Sequence, residues 1–135
     1  LTGHTGYVRA LRVTPEGMVL SGADDGTVRG WDPLSGVKYF VLDAHAVPGK
    51  DAWVYSICLV QVGGMQCFAT ASGDETVKVW GPVSTQAPHL QGVCRGHRHA
   101  VTAVDTVGDS RLVSASYDNT IKVWDADTQT CVATY

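Results

Sequence analysis

Long apolar runs, paired cysteines and an excess of positive charge are all missing from this chain of 135 residues. Its apolar stretches are far shorter than the about 18 residues that a membrane span requires. The N-terminal residues lack a charged segment followed by an apolar signal core. The four cysteines form no CxxC pair and no disulfide framework, which favours reduced thiols. We therefore expect a water-soluble protein in the cytoplasm, with the nucleus or cilium as alternatives.

The charge is small and evenly spread. Ten Lys and Arg residues face 13 Asp and Glu residues, for a net charge of −3. No segment is basic enough to bind a nucleic-acid backbone, so we expect no nucleic-acid partner. No glycine-rich loop follows a strand into a helix, so we expect no nucleotide and no other cofactor. With 44% apolar residues, the composition is that of an ordinary globular protein.

A repeated pattern accounts for most of the sequence. In residues 21–31, 70–80 and 114–124, a hydroxyl residue precedes an aspartate by four positions, a threonine follows it by two, and a tryptophan follows it by six. A histidine lies 17 positions before the hydroxyl residue in the first and third segments and 25 before it in the second. We assign five of the eight extra residues to 46–52 and three to a longer hairpin at 60–66, because loops tolerate insertions.

Period-two alternation predicts short strands, four in each repeat. The fourth strands are expected at residues 37–42, 90–95 and 130–135. In the third strand of the second repeat, Val77 and Val79 lie on one face and Lys78 and Trp80 on the other. Since both faces carry apolar bulk, the sheet is predicted to lie between two neighbouring sheets.

The sequence resembles the WD-repeat (WD40) family. Gly-His pairs occur at residues 3–4 and 96–97, and Trp-Asp pairs at 31–32 and 124–125. The second repeat departs from the pattern, with Ala44 before His45 and Gly81 after Trp80. The resemblance implies an all-β fold of three four-stranded antiparallel blades, at residues 1–40, 41–90 and 91–135, in one partial propeller domain. Propellers close with 4–8 blades, so we expect the remaining blades to come from a longer protein or from other copies.

His4, Ser21 and Asp25 are the residue types of a hydrolase triad, but hydrogen-bond chemistry favours a structural role. An indole N–H only donates and a carboxylate only accepts, so a hydroxyl and an imidazole can link them in the order Trp, Ser, His, Asp. The set occurs three times and each copy includes a tryptophan, whereas catalysis needs it once. The resemblance to WD repeats implies the same structural tetrads: His4, Ser21, Asp25, Trp31; His45, Thr70, Asp74, Trp80; and His97, Ser114, Asp118, Trp124.

Two further sites are weakly supported. His97 and His99 could lie on one face of a strand, but no third metal ligand is evident, so we expect no metal. Cys58 and Cys67 flank the Gly63-Gly64 turn, and pairing across that turn sets Val60 opposite Cys67, which disfavours a disulfide.

Partner contacts are expected at residues that the fold does not need. Trp53 lies outside the repeat pattern, where it could contact a partner or cover its own loop. The resemblance places rim residues around the central channel at Asp24, Gly73 and Tyr117, beside Tyr7, Trp53 and Ala100. Asp24 and Tyr117 would favour a peptide with a basic or apolar side chain.

These observations predict a non-catalytic scaffold or adaptor that binds peptides or protein surfaces at the propeller rim within a multiprotein complex. A ubiquitin-ligase substrate receptor, a signalling platform and a ciliary or trafficking complex are settings in which such a propeller could serve. Alternatively, the propeller could be an appendage of an enzyme. Association with nucleic acid is a further alternative, against which the charge distribution argues.

Overall fold

Twelve short strands make up the fold in the computed structural model, which describes residues 1–46, 50–84 and 87–135. No helix that could span a membrane occurs in these ranges. The strands are β1 (Val8–Val13), β2 (Val19–Ala23), β3 (Thr27–Trp31), β4 (Lys38–Asp43), β5 (Val54–Val62), β6 (Met65–Ser72), β7 (Val77–Gly81), β8 (His89–Cys94), β9 (Val101–Val107), β10 (Arg111–Ser116), β11 (Ile121–Asp125) and β12 (Thr130–Thr134).

Each successive group of four strands forms one antiparallel sheet, with strands in sequence order. The predicted all-β fold of three four-stranded sheets is therefore confirmed. The fourth strands lie within one residue of their expected positions. The divisions expected after residues 40 and 90 fall inside β4 and β8, so the first two sheets extend to Asp43 and Cys94.

The middle sheet carries the longest hairpin. β5 and β6 have 9 and 8 residues, against 6 and 5 for β1 and β2. Val60 pairs with Cys67 across this hairpin, as the sequence predicts. Residues 47–49, within the other expected insertion, lie outside the described ranges.

The first strand of every sheet contains a bulge near its start. The pairing shifts between Val8 and Ala10 in β1, and between Val54 and Ser56 in β5. In β9 the shift leaves Thr102 as the extra residue. A bulge adds one residue to a strand and redirects its side chain. Arg9, Tyr55 and Thr102 therefore occupy the same special position in the three sheets.

The sheets pack face to face, with β5 against both β1 and β9. Trp80 and Phe68 lie in the cluster shared with the first sheet, whereas Val77 and Val79 lie in the cluster shared with the third. Both faces of the middle sheet are thus covered, as predicted from its double-sided apolar pattern.

The outer faces of the first and third sheets are open. Leu11 in β1 is 66% exposed, whereas Ile57 and Val104 at the same position of β5 and β9 are 3% and 4% exposed. On the third sheet Ile121 is exposed, whereas its counterparts Val28 and Val77 are buried. The three sheets therefore do not close into a ring, and the two outer faces have the apolar character of the inner interfaces.

Candidate functional site

A four-residue hydrogen-bond network connects β2 and β3 of the first sheet with the loop before β1 and the turn after β2. The Trp31 indole Nε1–H donates to Ser21 Oγ over 2.8 Å, and that hydroxyl lies 2.7 Å from His4 Nε2. His4 Nδ1 lies 3.0 Å from Asp25 Oδ2. Since a carboxylate only accepts, Nδ1 carries the proton and Nε2 accepts from the serine. The bonds thus run in the order Trp, Ser, His, Asp.

The same network recurs in the other two sheets. In the second sheet, Trp80 donates to Thr70 over 3.0 Å, Thr70 lies 2.7 Å from His45, and His45 lies 2.8 Å from Asp74. The third sheet repeats these contacts at 2.8, 2.8 and 2.9 Å, through Trp124, Ser114, His97 and Asp118. In the described part of the protein, every buried side-chain nitrogen and oxygen has a hydrogen-bond partner.

A threonine two residues after each aspartate completes the network. Thr27 donates its hydroxyl and its N–H to Asp25 Oδ1 over 2.7 and 3.0 Å, and Thr76 and Thr120 bond Asp74 and Asp118 in the same way. The tetrad as inferred from the sequence omits these threonines. Their recurrence two positions after each aspartate was the available signal.

Hydrogen bonds keep the network carboxylates ionised. Burial of Asp25 opposes ionisation, but donors on Thr5 and Thr27 outweigh it and hold the pKa of Asp25 well below its usual value. The pKa of Asp118 is likewise lowered against its burial, by Thr120, Arg98 and His97. Ionised acceptors make stronger hydrogen bonds than neutral ones.

This arrangement is structural in its chemistry. Ser21 is buried, and its hydroxyl bonds both an indole and an imidazole. A nucleophilic serine needs an approach path for substrate, which the Trp31 indole occupies. The three networks join a loop, two strands and a turn within each sheet, so they position the loops at one end of the fold.

The stability of the protein is expected to fall as the pH drops below 6.5. Burial lowers the pKa of His45 below its ordinary value of 6.5, although Asp74 acts in the opposite sense. The unfolded protein therefore takes up a proton while the folded ring is still neutral. The contribution of neutral, buried His45 to the free energy of unfolding is fully present above pH 6.5, and it is lost as the pH falls through the pKa of His45 in the folded protein. Urea unfolding at about pH 7.5 and about pH 5 measures this loss, and an unchanged midpoint would contradict it.

The expected rim residues are paired at one end of the sheets. The Asp24 N–H donates to the Tyr7 carbonyl over 2.9 Å. The Gly73 N–H donates to Trp53, and the Tyr117 N–H to Ala100, each over 3.1 Å. Each sheet therefore presents one residue before its network aspartate and one before its first strand. Tyr7 and Tyr117 are 81% and 63% exposed.

Arg9 joins expected rim residues of two sheets. Its Nη2 donates to Asp24 Oδ2 over 2.8 Å, and its Nε donates to Asp24 Oδ1. The guanidinium carbon lies 4.9 Å from the Trp53 ring centre and 5.5 Å from that of Tyr55. Asp24 is therefore already paired, which argues against its expected role as an acceptor for a basic ligand. Sequence reasoning missed Arg9 and Tyr55, which both occupy the bulge position.

The third sheet adds a second aromatic pair. His99 and Tyr117 pack edge to face, with ring centres 5.8 Å apart. His97 belongs to its tetrad instead. We call Tyr7, Arg9, Asp24, Trp53, Tyr55, His99 and Tyr117 the rim surface.

Elsewhere, burial raises the pKa of Cys58 and Cys94 to about 12, which keeps both thiols protonated. Within the described ranges no group of His, Cys, Asp and Glu is arranged to hold a metal ion.

Stacked four-stranded sheets, each tied by the same histidine, hydroxyl, aspartate and tryptophan network, are the blades of a repeat-built β-propeller. The chain belongs to the WD40 family, described as WD domain, G-beta repeat, whose model matches residues 1–32, 36–81 and 88–125.

Several relatives share this region. A ribosome biogenesis protein WDR12 homolog of Ixodes scapularis is 34% identical over 127 residues, which cover 92% of this chain and 28% of that protein. The small ribosomal subunit protein RACK1y of Oryza sativa subsp. japonica is 32% identical over 131 residues, 92% of this chain and 36% of that protein. The structure of U3-55K superposes with a TM-score of 0.82 at 27% identity, over 100% of this chain and 41% of the other. The chain thus spans about a third of these relatives.

Proposed function

We propose that this chain is part of a non-catalytic scaffold that holds partner proteins in a multiprotein complex of the cytoplasm or nucleus. Its relatives include a ribosome biogenesis protein and a small ribosomal subunit protein, as their names state. We therefore extend membership of a large assembly to this protein as part of the proposal. The fold alone does not define a function, so the proposal depends on a particular surface.

The observation that carries the proposal is the rim surface. Tyr7 and Tyr117 are exposed although both are large aromatic residues. Aromatic residues are enriched in protein interfaces, and Tyr and Trp are common among the residues that contribute most to binding. Arg9 and Trp53 are held in place by contacts within the protein. These side chains therefore lose less conformational entropy when a partner binds.

Loss of the rim aromatics is expected to release a defined partner. The double variant Tyr117→Ala, Trp53→Ala removes two rings from the proposed contact, and each central aromatic contributes about 2 kcal/mol or more to typical interfaces. The measurement is quantitative mass spectrometry of complexes purified with the full-length protein from its own cells.

Leu34→Ala is the matched control. Leu34 follows β3 at the opposite end of the first sheet and is 96% exposed, so its loss leaves the rim surface intact. Unchanged partners in the double variant, with folding retained, would overturn the proposed contact. Loss of the same partner in Leu34→Ala would assign the interaction to the opposite end.

A further inference from the structure

Among the residues that the structure describes, the guanidinium of Arg9 uses only one of its two hydrogen-bonding edges. Asp24 accepts from Nε and from Nη2, which together form the side edge of the planar group. The end edge, formed by Nη1 and Nη2, offers two parallel N–H donors. Among the described residues, Asp24 is the only carboxylate that bonds Arg9, and about a third of the Arg9 side chain is exposed (34%).

Three neighbours fix the plane and direction of this free edge. Trp53 and Tyr55 lie 4.9 and 5.5 Å from the guanidinium carbon, and their own rings pack edge to face with centres 6.0 Å apart. The two bonds to Asp24 fix rotation within the plane. A free arginine side chain loses considerable conformational entropy on binding, and here the fold has already restricted it.

We propose that the rim surface selects a partner segment that presents a carboxylate to the free edge of Arg9, next to an apolar or aromatic side chain. A carboxylate matches two parallel N–H donors in a planar, bidentate pair. The Trp53 ring, which lies against the guanidinium, supplies the adjoining apolar contact, and the Tyr117 ring adds an exposed aromatic group to the same rim surface. The proposal rests on the rim surface being the partner site, and it gives that partner the charge opposite to the one expected from Asp24 alone.

Recognition of the partner's carboxylate depends more on the geometry of the Arg9 guanidinium than on the net charge of the rim surface. Arg9 and Asp24 together are formally neutral, so long-range attraction for an anion is weak. The directional pair of hydrogen bonds remains, and lysine lacks the planar fork that makes it. The conservative variant Arg9→Lys therefore keeps the charge but loses the recognition.

The experiment uses three small probes with the same indole ring. N-acetyl-tryptophan has a terminal carboxylate, N-acetyl-tryptophan amide is its neutral match, and the dipeptide acetyl-Trp-Glu-amide has its carboxylate on the glutamate. Each is titrated into 15N-labelled protein, and the resonances of Arg9 Nε–H and the Trp53 indole N–H are followed. We expect at least one carboxylate probe to bind about 10-fold more tightly than the amide, as a charge-assisted pair predicts.

The two carboxylate probes distinguish the source of the ligand group. Tighter binding of N-acetyl-tryptophan assigns the carboxyl terminus of a partner protein, and tighter binding of the dipeptide assigns an acidic side group. Arg9→Gln and Arg9→Lys are both expected to abolish the preference over the amide. Arg111→Gln is the control, because Arg111 is an exposed arginine at the opposite end of the third sheet.

Equal affinity for all three probes would overturn the carboxylate preference while leaving the rim surface as a partner site. Retention of the preference in Arg9→Gln would also overturn it, and so would an absence of shifts at Arg9 and Trp53 with every probe. The purification experiment with Tyr117→Ala, Trp53→Ala tests the rim itself, so failure of the two proposals can be told apart.

Discussion

Replacing Thr70 by valine is expected to lower the free energy of unfolding by about 2 to 4 kcal/mol. Valine has nearly the shape of threonine, so the packing of β6 is retained. The Trp80 indole loses its acceptor and His45 loses its donor, and both side chains are buried. Two unsatisfied polar groups in a buried site cost more than the lost bonds alone. Chemical unfolding followed by tryptophan fluorescence measures the change.

Thr130→Val is the matched control for this experiment. Thr130 is exposed on β12, and its hydroxyl contacts that of Thr128 at the surface. An exposed substitution of this kind is expected to change stability by no more than about 0.5 kcal/mol. If Thr70→Val behaved like the control, the networks would not be the stabilising element described above.

Shortening Ile57 to alanine is expected to cost about 2 to 4 kcal/mol, whereas Leu11→Ala should change stability by less than about 0.5 kcal/mol. The two residues occupy the same position in the first strands of neighbouring sheets. Ile57 is packed between the first and second sheets, and Leu11 lies on the open face. The cost of removing methyl groups depends on the cavity left behind, which only Ile57 creates.

The comparison is made by urea unfolding of both variants in the same buffer. Equal losses of stability would mean that Leu11 is covered in solution, by another copy or by another segment. Equal small changes would contradict the packing of β5 against β1. The pair thus tests the arrangement of the sheets as well as the energetics of one side chain.

The strands and the tetrads could largely be predicted, because their chemistry is local and is repeated three times in the sequence. An indole can only donate and a carboxylate can only accept, so the order of the network followed from residue types alone. The role of Thr27 was harder to assign, since the direction of its hydroxyl depends on the turn that carries Asp25. In that turn the next residue has a positive φ in all three sheets, at Gly26, Glu75 and Asn119.

The rim surface was only partly predictable. The positions of Asp24 and Tyr117 followed from the family resemblance, but the pairing of Asp24 with Arg9 joins residues 15 positions apart across a bulge. Residue types do not specify where a bulge occurs or where a long arginine side chain points. The exposure of Leu11 is not visible in its own repeat, because all three repeats have similar apolar patterns and only the neighbouring sheet differs. It follows instead from the expected partial propeller, whose end blades have one uncovered face.

The bulges have a consequence for how such a protein can change its partners. Arg9, Tyr55 and Thr102 each sit where the regular ladder is interrupted, so strand pairing places little demand on their identity. The buried tetrads meanwhile keep the sheets intact. Substitution of a single residue per repeat could then alter ligand preference without loss of stability, and specificity could diverge while the architecture stays constant.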